Sequence, residues 1–497
     1  MRQITKRAAV LAAAFAVAAT GGTAAASAQR AGREPGDCVA VPGADCGTVR
    51  VPLVRSRPEL GTTTVAYAVI RHRDASRPAK GTFTVNPGGP GDSALVYAPG
   101  YAATFAGLLK DHDLLIVEPR GVNRSDPANC GAGLPLPATR DGFVRMIGAC
   151  GTALGERRRA YTSAEIADDI DAVRARLGIP RLDLLGESYG TYLMTVYAQR
   201  HPDRVRSAVL SSAYPLAFDL WARPNVRAAN RAVRLLCERS GGACDGDRVL
   251  RDVSRLAGRL KARPLRYTPE GGGPARDLDD TSLAAIVYGA ASGAPEDIGD
   301  LPAMVRTALS GDTRMLVEAA GKAGPMSGSA LRRNEEQEFN VAHAAAVMCN
   351  DYPTLWDRKA PVRTRLRQYA AGRAALPERT FWPFGKVAWT SAISDQGDAC
   401  IRWPDRDAPA QPTNGPFPDV PVLVVSGDLD PNTPTESGRL AARQFRRATV
   451  VEVPNVGHVA EREPSGCAAG IESAFVRDLR PGDLSCLAAV PPVPVRS

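Results

Sequence analysis

An α/β fold, with a mostly parallel central sheet, flanking helices and a large, mainly helical insertion, is what this 497-residue sequence predicts, on three observations. Between residues 81 and 210, short apolar runs of the kind buried on both faces of a parallel sheet alternate with segments of helical period. One of those runs, Leu182–Leu185, stops at Gly186-Glu187-Ser188-Tyr189-Gly190 and is followed by a helix-like stretch with Tyr192, Leu193, Val196 and Tyr197. The alternation ends near residue 215, gives way to helical patterns through residue 415, and returns at Val420-Pro-Val-Leu-Val-Val.

Taken in chain order, residues 1–28 begin with Arg2, Lys6 and Arg7, continue through apolar Ala8–Ala19 and end on Ala26-Ser27-Ala28. That is the pattern of a secretory signal peptide with a small-x-small cleavage site. The apolar run is shorter than the ~18 residues that cross a bilayer, and no later stretch approaches that length, so no membrane association is expected of the rest. Strands around Val49–Val54 and Thr63–His72 open the sheet, and strands at Gly81–Asn86, Leu114–Glu118, Leu182–Leu185 and Val205–Leu210 continue it. In the crossover Ser163–Leu177, residues Ile166, Ile170, Val173 and Leu177 share one helical face. Residues 29–214 are therefore read as the first part of the core, and 215–415 as a cap over it. Residues 416–489 complete the core, and a Pro-rich tail occupies 490–497.

The chemistry centres on Ser188. In a G-x-S-x-G turn the flanking small residues let the chain pass sharply from strand to helix, lifting the serine Oγ above the sheet edge beside a helix N-terminus. A serine in an ordinary Gly turn would carry the same five letters; the strand before it and the helix and strand after it favour the nucleophile elbow. Such a serine needs a base and an acid, which in this arrangement follow it in the order acid, then His. Of five histidines, His72 and His112 precede the serine, His201 closes the elbow helix at His-Pro, and His343 lies in a helical stretch that favours packing. His458, in a Gly-containing loop after Val-Glu-Val, is the expected base. Asp430 and Asp428 compete as acid in Gly-Asp-Leu-Asp-Pro; the spacing favours Asp430, with Asp428 holding the turn. Pro87-Gly88-Gly89-Pro90-Gly91 follows a strand where an oxyanion loop belongs, so the N–H groups of Gly89 and Tyr189 are the expected donors. No Gly-Lys-Ser/Thr follows, which excludes a phosphate loop.

Net charge is +9, or +6 once the three bases of residues 1–28 are set aside, and the arginines are scattered, so a nucleic-acid partner is not expected. Ten cysteines in a secreted chain suggest disulfides, and their order suggests local pairs: Cys38–Cys46, Cys130–Cys150, Cys237–Cys244, Cys349–Cys400 and Cys467–Cys486. Other connectivities stay open. The sequence has no C-x-x-C and no Cys/His cluster, so neither a metal nor a cofactor is implied.

The segments NPGGPG, HDLLIVEPRGVNRSD, LLGESYGTYL, VLVVSGDLDPNTP and NVGH, in this order, resemble the secreted tripeptidyl aminopeptidases of the prolyl-aminopeptidase-like branch of the α/β-hydrolase superfamily. The likeness spans most of residues 38–487 and is weakest between 215 and 345. It implies an α/β-hydrolase fold with nucleophile Ser188, acid Asp430, base His458 and an oxyanion loop at Gly88-Gly89. One departure is Pro87, where small prolyl aminopeptidases carry a histidine; this fits the larger tripeptidyl subgroup better. The activity implied is that of a monomeric serine exopeptidase acting on peptide or protein N-termini, with an esterase or lipase of the same fold as the alternative. Counting residues from an N-terminus requires a carboxylate that holds an ammonium. Two cap positions are candidates: Glu336, in the acidic run Glu335-Glu336-Gln337-Glu338, and Asp351, beside Cys349. A solvated helix face and a turn cap before Pro353 are the competing readings of these two sites.

Overall fold

The computed structural model describes residues 39–131, 139–269, 275–291, 293, 295–322, 338–393, 395–404 and 411–496. The signal-peptide reading of 1–28, Cys38 and Glu336 lie outside them. The strands are β1 (Asp45–Pro52), β2 (Thr62–Ile70), β3 (Gly81–Asn86), β4 (His112–Val117), β5 (Leu182–Glu187), β6 (Val205–Ser211), β7 (Leu265–Tyr267), β8 (Arg276–Leu278), β9 (Pro421–Gly427) and β10 (Arg447–Val453). Eight of them form one sheet in the order β1-β2-β4-β3-β5-β6-β9-β10. Strand β2 runs antiparallel to both β1 and β4, while every other pairing in the sheet is parallel.

Both faces of the inner strands β3, β4, β5, β6 and β9 are buried, which is why these read as mostly apolar runs rather than alternating ones. Successive side chains point to opposite faces. Leu182 and Leu184 of β5, Leu115 and Val117 of β4, and Val422 and Val424 of β9 face one layer, with Ile166, Val173, Leu193 and Val196. Leu185, Leu114, Ile116, Leu423 and Val425 face the other, with Leu95, Ala98, Ile471 and Phe475. Each Val, Leu, Ile or Phe side chain among them contributes roughly 1.5–3 kcal/mol through burial. The first layer is built by α2 (Arg140–Ala153), α3 (Ser163–Arg176) and α4 (Tyr189–Arg200), and the second by α1 (Ala94–Thr104) and α15 (Cys467–Asp478). Helix α14 (Thr435–Ala442) lies between β9 and β10, with Ala441 in the first layer.

Between β6 and β9 stand α5 (Arg223–Glu238), α6 (Gly246–Ala262), α7 (Asp280–Gly289), α8 (Pro295–Gly299), α9 (Leu301–Ser310), α10 (Arg314–Lys322), α11 (Val341–Asp351), α12 (Val362–Ala374) and α13 (Lys386–Ala392). In α5 the apolar positions Val226, Ala229, Val233 and Cys237 recur at three- and four-residue spacing. That stripe packs with α6, α7, α9 and α13 into a hydrophobic cluster of their own around Trp389 and Phe381. Two features depart from a uniformly helical cap. Strands β7 and β8 pair antiparallel as a small hairpin inside the insertion. Helix α11 belongs to the core layer, because Ala345, Ala346, Val347 and Cys349 are buried against the first cluster.

Disulfides join Cys130 to Cys150, Cys237 to Cys244, Cys349 to Cys400 and Cys467 to Cys486; Cys46 is also disulfide-bonded. Among the described residues no helix is long and apolar enough to cross a membrane.

Candidate active site

Strand β5 delivers Ser188 at its C-terminal end with φ 53° and ψ −122°, a conformation that L-residues avoid unless the surroundings impose it. The surroundings do so through close backbone packing. A Cβ on Gly190 would sit 2.2 Å from the Asn86 carbonyl oxygen, and one on Gly186 would sit 2.4 Å from the Gly190 carbonyl. Strand β3, the elbow and the first turn of α4 therefore pack as only glycines permit. Among the described residues Ser188 Oγ has no hydrogen-bond partner, and it lines a cavity of about 260 Å³ together with Gly89 and Thr433.

Asp430 and His458 arise at the C-terminal ends of β9 and β10, which are neighbours in the sheet. His458 Nδ1 lies 2.9 Å from Asp430 Oδ2. The Asp430 carboxylate is fully buried, and it accepts the Asn432 and Thr433 amides at 2.7 and 3.1 Å and the Thr433 hydroxyl at 2.6 Å. Burial alone would raise its pKa; the His458 charge, with hydrogen bonds from His458 and Thr433, outweighs that and holds it below the usual carboxylate range. The His458 amide donates to the Ala291 carbonyl at 3.0 Å, so the loop after α7 in the insertion pins the histidine loop. Asp428 points elsewhere: Oδ2 pairs with Arg239 Nη2 at 2.7 Å and Oδ1 accepts the Asn455 amide at 2.9 Å. The structure thus brings Asp430 and His458 together. Ser188 faces the neighbouring cavity without a hydrogen bond to the imidazole.

The loop after β3 lies against the elbow. Gly88 has φ +96°, and a Cβ there would come 2.5 Å from the Glu187 carbonyl oxygen and 2.9 Å from the Tyr189 amide nitrogen. The Gly89 and Tyr189 N–H groups have no acceptor among the described residues. Two backbone donors are consequently left open beside Ser188, the arrangement that an oxyanion requires. Helix α1 follows this loop, and its first turn is held by Glu118, which accepts the Ser93 hydroxyl at 2.8 Å and the Leu95 amide at 2.9 Å. Burial dominates over these donors and pushes the Glu118 carboxyl up to about 8.

Asp351 requires a correction. It is buried, its Oδ2 accepts both the amide and the hydroxyl of Ser163 at 2.6 Å, and Ser163 Oγ continues to Tyr189 Oη at 2.7 Å. The carboxylate serves the N-terminus of α3 beneath the elbow, it does not line the cavity, and burial pushes it up to about 6. Among the described residues the acids that do line the cavity are Asp219 and Asp395.

Sequence reasoning missed three features. Thr433, in Asp-Pro-Asn-Thr, bridges Asp430 and His458, lying 3.1 Å from the imidazole Nδ1; its position three residues after the acid was a usable signal. Asp395 left none. A buried group of carboxyls, Glu187, Glu461 and Glu472, supports the elbow from behind. Glu187 pairs with Arg462 at 2.9 Å, and Glu461 accepts the Ser211 hydroxyl. Burial first, then mutual repulsion, pushes Glu187 and Glu472 far above the usual carboxylate range, and burial raises Glu461. Of the other histidines, His343 is buried against Tyr161, while His72 and His201 pair with Asp113 and Asp168.

The family described as alpha/beta hydrolase fold matches residues 81–231, and the family described as TAP-like protein matches residues 385–486. The chain is 27% identical over 440 residues to serine protease Hip1 of Mycobacterium tuberculosis, covering 81% of this chain and 79% of that one. It is 28% identical over 480 residues to tripeptidyl aminopeptidase of Streptomyces lividans, covering 87% and 82%. It is also 28% identical over 484 residues to carboxylesterase B of Mycobacterium tuberculosis, covering 89% and 86%. Peptidase and esterase relatives therefore stand at similar distance. With the eight-stranded sheet, the flanking layers and the inserted helices already described, these matches make the chain a hydrolytic enzyme of the α/β-hydrolase superfamily, related to its TAP-like proteins.

Proposed function

We propose that the protein is a secreted serine exopeptidase that releases short peptides, tripeptides foremost, from free N-termini through an acyl-enzyme. The observation that carries its serine-hydrolase chemistry is the 2.9 Å Asp430–His458 pair at the same end of the sheet as the strained Ser188 elbow, and the tripeptidyl aminopeptidase relative supports the choice of free N-termini as substrate. Asp430 keeps the Nδ1 proton on His458, so Nε2 is free to accept the Ser188 proton as Oγ attacks the scissile carbonyl. Negative charge on the carbonyl oxygen is received by the Gly89 and Tyr189 N–H groups. His458 then returns the proton to the leaving amine, and water repeats the sequence on the ester to release the peptide acid and restore Ser188. Insertion residues such as Tyr288, Met348 and Tyr352 wall the cavity, which supports a chain end over an internal loop of substrate. The signal-like residues 1–28 and the disulfides support secretion.

The carboxylesterase relative favours a second reading, because an ester uses the same nucleophile, base and donors. One enzyme preparation distinguishes them by kcat/KM on a tripeptide p-nitroanilide with a free N-terminus, its N-acetylated form and p-nitrophenyl butyrate. The free peptide should be preferred over its acetylated form and over the ester, and Ser188→Ala should abolish turnover of all three. A dominant ester activity with equal cleavage of the two peptides would replace the exopeptidase with the esterase.

A further inference from the structure

A peptidase that acts from free N-termini must hold an ammonium at a set distance from its nucleophile, and in a cavity shielded from water this requires an accessible carboxylate. Among the described residues, Asp219 and Asp395 are the acids that line the Ser188 cavity. Asp219 is occupied: Oδ1 accepts the Trp221 amide at 3.0 Å, and Oδ2 accepts Arg223 Nε at 2.6 Å. Asp395 has no hydrogen bond or ion pair from the side chain of any other described residue. Half-buried in the cavity wall, its carboxyl is desolvated against the opposing pull of its own amide and of the Arg140 and His458 charges, and its oxygens stay open to a ligand cation.

The segment around Asp395 is nevertheless held firmly. Arg140 of α2 donates to the Ile393 carbonyl at 2.7 Å, to the Gln396 carbonyl at 2.6 Å and to Asp398 at 2.8 Å. Ile393 and Gln396 are thereby held, and Asp395 between them lines the cavity. Tyr214, Tyr288 and Tyr352 line the same cavity, with Tyr214 and Tyr352 joined through their hydroxyls at 2.7 Å. The Asp395 charge adds to burial in raising all three phenols, which places the carboxylate within electrostatic reach of these rings. Burial likewise raises Asp395 itself. A carboxylate framed by aromatic rings attracts an organic cation twice, through charge pairing and through the ring faces.

We propose that Asp395, framed by Tyr214, Tyr288 and Tyr352, binds the α-ammonium of the peptide substrate. This rests on the exopeptidase reading above and names the group that makes the site one for chain ends. The length of the released peptide is then set by the span from Asp395 to Ser188, at about 3.3–3.6 Å per extended residue.

The test compares wild type, Asp395→Asn, Asp395→Glu and Asp219→Asn on alanine di-, tri- and tetrapeptide p-nitroanilides with free and acetylated N-termini. The rate of inactivation by a neutral fluorophosphonate reports on Ser188 and the fold independently of the amine. Asp395→Asn should lower kcat/KM on the free tripeptide by about ten- to a hundredfold, chiefly through KM, the loss expected for a charge-assisted hydrogen bond. The acetylated substrate and the fluorophosphonate rate should stay within about twofold of wild type, as expected when only that bond is lost. Asp219→Asn should keep the free-over-acetyl preference. Asp395→Glu should retain the preference but move the optimum peptide length. If wild type cleaves free and acetylated peptides equally, the exopeptidase reading fails, and this inference with it. If wild type discriminates and Asp395→Asn discriminates equally with normal fluorophosphonate reactivity, the reading stands and the Asp395 assignment is overturned. Should the asparagine variant lose fluorophosphonate reactivity, the glutamate variant decides: an unchanged length optimum overturns the assignment and a shifted one supports it.

Discussion

Replacing Glu118 with glutamine should remove a pH-dependent loss of stability from the fold. Glu118 is fully buried, and its carboxyl is raised from 4.5 to about 8. Between those two values the folded protein holds a proton that the unfolded chain has released, so unfolding is increasingly favoured as pH rises. The contribution is flat below 4.5, where both states are protonated, and flat again above about 8, where both are ionised. Within the window the slope is about 1.4 kcal/mol per pH unit, which amounts to about 2.7 kcal/mol between pH 5 and pH 7. A glutamine oxygen can still accept the Ser93 hydroxyl and the Leu95 amide. Its amide nitrogen would replace Oε1, which has no partner in the wild type, so the swap adds a roughly constant cost of about 1–3 kcal/mol. Urea unfolding of Ser188→Ala and Ser188→Ala/Glu118→Gln at pH 5 and pH 7 isolates the effect, because the other raised carboxyls are common to both chains and cancel. The glutamine variant should be the less stable at pH 5 and gain about 2.7 kcal/mol relative to its parent by pH 7. An equal stability difference at the two pH values would refute the argument, since Glu118 would then be ionised in the folded state throughout.

The two aspartates of the Gly-Asp-Leu-Asp loop should separate cleanly. Asp430→Asn presents an amide to His458 Nδ1 and should lower kcat by roughly 10⁴-fold. Asp428→Asn weakens the pair with the half-exposed Arg239 and should cost about 1 kcal/mol of stability with activity nearly intact; the opposite ranking in steady-state assays would move the acid to Asp428. Removing the Cys349–Cys400 bridge, which closes a 51-residue separation between α11 and the end of the insertion, should cost about 4 kcal/mol in denaturant unfolding. It should also raise KM, because Met348, next to Cys349, lines the cavity. A double serine variant within 1 kcal/mol of its parent would show that the bridge constrains neither state.

What the sequence determined by itself is what short-range physics writes into neighbouring residues. Leu182, Leu184 and Leu185 are apolar because both faces of β5 are buried, and Gly186 and Gly190 flank Ser188 because backbone passes within a Cβ radius of each. Both facts follow from local geometry, so the sheet, the elbow and the chain order of Ser188, Asp430 and His458 were legible as expectations. Strand ends shifted by a few residues, as at β1, because termination depends on the partner strand rather than on propensity. The helical period of Val341–Asp351 was also legible, but not its place in the core layer, since a helix buried against a sheet and one in a cap share the same spacing. The acids show the limit most directly. Asp351 and Asp395 are both acidic residues late in the insertion. One turns to Ser163, 188 residues away in sequence, and the other lines the Ser188 cavity. Which way a carboxylate points depends on donors brought within 3 Å by packing of distant segments, and no spacing along the chain encodes that distance.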